Sequence, residues 1–330
     1  MQVLSLFLES SVMAPLWTAI NFFLHELDIF FAFSWMDWSF SIIPSLIFTI
    51  GGARSSGSSL AMLAPRYILH ILWNTCFIYF FNLSNQITGI AEDQVIKPHR
   101  PLPSGKVTLT GAKKRWVVVL SVWLLASIRA SVIEQMLCWT FTTGFVSLTA
   151  AGNHWFGKNT VALTAGTWAL YTASWRIIAA ETERGTRYAW AIAFWAGVAT
   201  HVQDLRDVAG DAANGRKTLP IVYGDRCSRW LMTFIAIPLQ MVALWLGRVI
   251  QVAPLLIGAM HTIVAWRVMQ EGRGSKYDHK TYMASCDKIA NWMTTDLDGY
   301  IIDGYLYVLS LCCLRSFGTG RVTEGKLLHE

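Results

Sequence analysis

The sequence predicts an all-α fold: a multi-pass transmembrane bundle of about nine helices around a central cavity. Three observations carry that expectation. Of 330 residues, 54% are hydrophobic and only 15% charged, where soluble domains carry roughly a quarter charged. The deficit is spread along the chain, as in a multi-pass protein, not confined to one anchor. Apolar runs of spanning length recur to the end, and Pro44, Pro65 and Pro254 fall inside or beside them, as bilayer helices tolerate.

The elements follow in order. Met1–Leu8 has no basic stretch ahead of its apolar one, so a cleavable signal is not expected and the first helices should persist. Leu16–Leu27 reads as a short amphipathic entry segment near the membrane interface, with His25 and Glu26 on its polar side. Residues 1–28 therefore form an N-terminal interfacial segment, 29–315 a single transmembrane domain, and 316–330 a C-terminal tail. Spans are expected at 29–52, 67–86, 115–132, 133–152, 159–180, 187–203, 229–247, 249–268 and 299–315. The stretch 286–304 sits awkwardly. It carries Asp287, Lys288, Asp296, Asp298 and Asp303 where the last helix should begin, and a loop is expected there.

Charge sets the orientation. The loops 86–115, 151–159, 203–230 and 267–298 fall on one side and hold 17 of the 27 lysines and arginines, so that side is expected to face the cytosol. The formal net charge of +6 is read as membrane topology and not as nucleic-acid binding. Lys113, Lys114 and Arg115 are expected to be topology anchors at a helix start. The six cysteines include no CxxC pair and no Cys/His spacing, so neither a disulfide framework nor a zinc site is expected. A faint duplication is present: the second and sixth spans each end in an acidic, polar segment, suggesting paired halves facing one cavity.

Those two segments hold the candidate chemistry. The first runs from Asn85 and Gln86 through Glu92 and Asp93 to Lys97-Pro98-His99-Arg100-Pro101. The second runs from His201 through Asp204, Asp207 and Asp211 to Arg216 and Lys217. Asp204, Asp207 and Asp211 are spaced i, i+3 and i+7, which puts all three carboxylates on one helical face. Asn85 and Glu92 are about two turns apart and nearly aligned, with Asp93 beside them. Grouped carboxylates repel one another and are costly beside a membrane unless a cation neutralises them. An all-oxygen ligand set suits magnesium, which binds through a few carboxylates, water and substrate phosphates. Lys97, Arg100, Arg216 and Lys217 are placed to take the remaining charge of a diphosphate. A diphosphate so neutralised is a good leaving group.

The order Asn-Gln, Asp, Lys-Pro-x-Arg-Pro-Leu-Pro-Ser-Gly, followed about 120 residues later by Asp-x-x-Asp-x-x-x-Asp, resembles the UbiA superfamily of intramembrane prenyltransferases. The resemblance covers most of the chain. It implies a helical bundle with a central cavity, Mg2+, and a polyprenyl diphosphate held between the motifs. Asn85 and Asp93 would serve the metal and diphosphate in the first motif, and Asp204, Asp207 and Asp211 in the second. One position departs from the pattern: where the family usually has an aspartate four residues after the asparagine, this chain has Gly89. Glu92, close to the same face, is the candidate replacement ligand.

Beyond ionisation two fates stay open. An acceptor attacks the allylic cation, giving prenyl transfer, or the chain's own double bonds attack it, giving a cyclic terpene. The Gly89 version of the motif looks most like a fungal branch with membrane-bound terpene cyclases of secondary metabolism, and no second basic cluster suggests an aromatic acid acceptor. The preferred expectation is a terpene cyclase in the endoplasmic reticulum membrane acting on geranylgeranyl diphosphate to give a diterpene, with a prenyltransferase next. A transporter is the distant alternative, disfavoured because the dense charge lies at one membrane face and not at the midplane. Mid-span Trp73, Trp123, Trp168 and Trp195 are candidates to line a cavity and stabilise a cation. Others, such as Trp35, Trp38, Trp155, Trp190 and Trp230, fit an interfacial belt. His201 reads equally as a packed and as a functional residue, and His261 as core.

Overall fold

The structure is a computed structural model that describes residues 2–38 and 41–283. Every element named along those residues is helical. In order they are α1 (Gln2–Ser34), α2 (Ile42–Ser56), α3 (Leu60–Thr88), α4 (Ile90–Ile96), α5 (Leu109–Arg129), α6 (Ile133–Leu148), α7 (Thr164–Ile178), α8 (Glu183–Ala199), α9 (His201–Ala213), α10 (Leu219–Tyr223), α11 (Asp225–Leu231), α12 (Ile237–Leu246), α13 (Pro254–Val268) and α14 (Ser275–Met283). Two π-helical segments, Phe156–Leu163 and Met232–Ala236, lead into α7 and α12.

The most deeply buried large side chains lie on α3, α7 and α8, joined by Phe48 of α2 and Trp123 of α5. On one side Phe48 meets Tyr171 edge to face and Trp175 at a tilt. On the other, Phe77 stacks on Trp139 with ring centres 4.7 Å apart, and Trp73 and Phe80 lean on Trp123. Such pairs add roughly 0.5–1.5 kcal/mol each beyond simple burial. Close approach is secured by Gly166, where a Cβ would strike the Trp139 ring, and by Gly197, where one would strike Thr164 and the Thr160 carbonyl. The second glycine seats α8 directly against the π segment before α7.

The outer surface is apolar. Phe141, Leu125, Val118, Ile68, Trp245 and Leu255 are all exposed, far more than water tolerates as one continuous surface. By length and composition alone, two stretches of the described residues are able to cross a membrane, Pro15–Asp37 and Asp225–Leu246, and Pro254–Val268 is a shorter apolar helix.

Two expectations change. The span foreseen at 29–52 is broken: α1 ends at Ser34, a 3₁₀ turn covers Trp35–Asp37, and α2 starts at Ile42. The Ser34 and Ser41 hydroxyls donate to the Phe30 and Asp37 carbonyls, a local competition that weakens helices. The entry segment foreseen at Leu16–Leu27 is part of the 33-residue α1. Its Trp17, Phe22, Phe23 and His25 are exposed, while Glu26 pairs with Arg115. The span expected at 299–315, the acidic stretch around Asp287–Asp303 and the tail 316–330 lie outside the described residues.

Candidate active site

Both motifs end up at the same end of the bundle. In the first, α3 runs to Thr88 and yields to α4 at Gly89, a kink across which the Asn85 carbonyl still accepts from the Gly89 amide at 2.9 Å. A Cβ at Gly89 would lie 3.0 Å from that carbonyl, so the side chain missing from the usual pattern is missing where the backbone is crowded. Asp93, 4% exposed, is clasped by Arg100: Nη1 donates to its two oxygens at 3.0 and 2.9 Å. The proline-rich loop makes this possible by folding back on itself, with the Ser104 amide on the Arg100 carbonyl and the Val107 amide on that of Pro101.

In the second motif α9 buries Asp204 and Asp211, at 3% and 4% exposure. Asp207 does not join them. Its side chain is 41% exposed and takes hydrogen bonds from Arg206 Nε at 3.0 Å and Gln203 Nε2 at 3.3 Å. Arg206 in turn stacks on Tyr282 of α14. The i, i+3 offset thus puts Asp207 at the margin of the face that Asp204 and Asp211 share.

Arg216 ties the motifs together. Its Nη2 donates to Glu92 Oε1 at 2.6 Å and its Nη1 to Asp211 Oδ1 at 3.1 Å, joining residues 124 apart in the chain. Asn85 is half-buried and makes no side-chain hydrogen bond among the described residues. Lys97 retains exposed surface, yet burial of its charged end, with Arg100 next to it, holds its pKa below the ordinary lysine value. The Lys217 side chain is exposed, and it is the Lys217 backbone that bonds to Asn153 and Trp155.

Three neighbours of the site escaped sequence reasoning. Asn159, 1% exposed in the π segment, donates one amide proton to Asp204 Oδ2 at 2.7 Å and sits 3.2 Å from His201 Nδ1. The His201 Nε2 is 2.9 Å from the Thr160 hydroxyl. This network assigns the imidazole proton to Nε2 and places His201 behind Asp204. Lys158 acts electrostatically on Asp211, whose pKa stands above the usual carboxylate value because desolvation outweighs Lys158 and Arg216. Asp37, from the turn after α1, stands beside Asn82 within electrostatic reach of Arg100 and Lys97. A signal for the first pair existed: Lys158-Asn159 falls in the loop 151–159, already assigned to the motif side. Asp37 gave none, because the expected span ran straight through it.

Among the described residues no three acidic, histidine or cysteine side chains gather closely enough to hold a metal alone. The arginines stand between the carboxylates instead. The donor chemistry still fits magnesium: carboxylate oxygens of Glu92 and Asp93 from one motif and of Asp204 and Asp211 from the other, joined through Arg216, are the hard ligands this ion takes along with phosphate oxygens.

Residues 42–286 match the UbiA prenyltransferase family. The diterpene cyclase eriG of Hericium erinaceus is 51% identical over 259 residues, covering 78% of this chain and 84% of that protein. The polyprenyl transferase eriF of the same organism is 50% identical over 260 residues, covering 78% and 90%. The fold matches a UbiA homolog from Archaeoglobus fulgidus solved with GPP and Mg2+, at a TM-score of 0.58 and 13% identity over 88% of this chain and 98% of that one. With the motifs, the fold and these relatives in agreement, the chain belongs to the UbiA prenyltransferase family.

Proposed function

We propose that the protein is a membrane-bound, magnesium-dependent terpene cyclase that ionises a polyprenyl diphosphate, with geranylgeranyl diphosphate favoured, and closes the resulting cation to a hydrocarbon. The observation that carries the ionising step is the Arg216 bridge between Glu92 and Asp211. It reports two carboxylate rows facing each other at one end of an apolar bundle, a geometry suited to an anionic head with its oily tail among the helices.

In this reading Asn85, Glu92, Asp93, Asp204 and Asp211 would hold Mg2+ together with the diphosphate. The metal supplies Lewis-acid stabilisation of the departing charge. Arg100 and Arg216, now on carboxylates, would turn to the phosphate oxygens, and Lys97 and Lys217 lie on the same side to add positive charge. Asn159 fixes the rotamer of Asp204, so a ligand oxygen is already oriented when substrate arrives. Asp207, drawn toward Arg206, is the least direct of the acids. Trp73, Phe77, Trp123 and Trp139 pack on one another as a dry aromatic core, which would help shield a carbocation held among the helices from water. The motif loops would face the cytosol, in keeping with their positive charge, from the endoplasmic reticulum membrane.

Prenyl transfer to an acceptor is the second reading, favoured by the eriF similarity. One experiment separates them: membranes containing the protein, incubated with geranylgeranyl diphosphate and Mg2+ and no acceptor. Hydrocarbon by gas chromatography is expected. Product formed only when an acceptor is supplied would overturn cyclisation in favour of transfer.

A further inference from the structure

Resting on the reading that the two motifs hold Mg2+, we propose that α14 is a strap that keeps Asp207 out of the metal-binding row, with Tyr282 as the positioning residue that acts through Arg206. One face of this short polar helix makes three separate contacts. Ser275, Asp278 and Tyr282 are spaced i, i+3 and i+7, so they share that face. The Ser275 hydroxyl donates to the Arg206 carbonyl of α9 at 3.0 Å. The guanidinium carbon of the same Arg206 stands 4.5 Å from the centre of the Tyr282 ring, a stacked cation. Between these contacts Asp278, 3% exposed, accepts from both terminal nitrogens of Arg229 at 2.9 and 2.8 Å. The strap therefore grips Arg206 by backbone and side chain at once, and is itself pinned in the interior.

The anchor serves position more than strength. Arg229 is 2% exposed. Its Nε donates to Asp225 at 3.0 and 2.9 Å, and its Nη1 to the carbonyl of Val268, the last residue of α13, at 3.0 Å. A buried ion pair adds little net stability over apolar packing, and its best-attested use is to fix a register. Here the register is that of α14 on α9, which sets where the Tyr282 ring stands. The effect falls on Asp207. Arg206 is its neighbour in sequence, about 100° round the helix, and in its stacked position brings Nε within 3.0 Å of Asp207 Oδ1. The other donor to Asp207, Gln203 Nε2 at 3.3 Å, is neutral, so Arg206 is the group that opposes a divalent ion at this carboxylate by charge. Without Arg206 the carboxylate turns toward Asp204 and Asp211 and becomes available to the ion.

The test is titration calorimetry of Mg2+ into the full-length chain in detergent. Wild type is compared with Tyr282→Phe, Tyr282→Leu and Arg206→Gln, each with and without Asp207→Asn. Phenylalanine keeps a ring for the guanidinium to stack on, leucine removes it, and Arg206→Gln removes the competing charge without touching α14. The Asp207 side chain is 41% exposed, so water screens the effect, and Arg206→Gln should tighten Mg2+ binding about tenfold and Tyr282→Leu about threefold. Tyr282→Phe should match wild type, and Asp207→Asn should erase both gains. Damage to a merely structural helix weakens binding and does not produce a gain that needs Asp207. Unchanged or weaker binding in Arg206→Gln or Tyr282→Leu overturns the proposal, as does a gain that survives Asp207→Asn or a phenylalanine variant that behaves like the leucine one. A wild type that takes up no Mg2+ overturns the magnesium reading itself and is seen before any variant is compared.

Discussion

Replacing Arg216 by methionine should push metal and substrate affinity in opposite directions. In the free protein the guanidinium neutralises Glu92 and Asp211, bonding them at 2.6 and 3.1 Å. A unit charge about 6 Å from a divalent ion, at an effective dielectric near 20, opposes that ion by roughly 5 kcal/mol. The Arg216 and Glu92 side chains are 26% and 31% exposed, so water screens part of this, and about 2 kcal/mol is a sound working value. Arg216→Met should therefore bind Mg2+ alone ~30-fold more tightly, by the usual 1.36 kcal/mol per decade. The substrate loses a charge-assisted hydrogen bond worth about 2 kcal/mol, so KM for the prenyl diphosphate should rise by a similar factor. Titration calorimetry of Mg2+ into protein in detergent, beside diphosphate-release kinetics, reads both. Metal affinity that is unchanged or weaker in the variant would refute the idea that Arg216 holds the place of the cation.

Three further outcomes are expected. Asp93→Ala and Asp204→Ala should each lower diphosphate release at least a hundredfold while the protein still inserts and purifies as wild type; retention of most activity would remove these residues from the site. Glu92→Ala should weaken the Mg2+ dependence about tenfold if this side chain replaces the ligand absent at Gly89, and an unaltered metal titration would dismiss that role. Lys158→Met removes the largest influence that lowers the Asp211 pKa; because the protonated acid cannot bind metal, the acid limb of the pH–activity profile should move to higher pH, and a limb that stays or moves lower would contradict the assignment.

Much of this was legible in the residues themselves. Helix positions followed from apolar runs, and the motif spacing singled out Asp93, Asp204 and Asp211, which the fold buries. The exposure of Asp207 was not legible, because face geometry on a helix says nothing about a neighbour competing for the carboxylate, here Arg206 stacked on Tyr282. The end of α1 at Ser34 was hidden because serine and tryptophan do not interrupt hydrophobicity. Asn159 was signalled only by its place in the motif-side loop 151–159. Its role depends on a π-helical register, which leaves no mark in a 3.6-residue period.

That register has a consequence for how the site tolerates change. The widened turns of Phe156–Leu163 hold more residues per turn than a regular helix, and it is from that phase that Asn159 reaches Asp204. Shortening the segment by one residue would let ordinary i→i+4 bonding return without loss of helix, yet it would rotate Asn159 by about 100° and leave the buried Asp204 without its amide donor. A single-codon deletion there is therefore expected to keep the helix while unseating the Asn159–Asp204 contact.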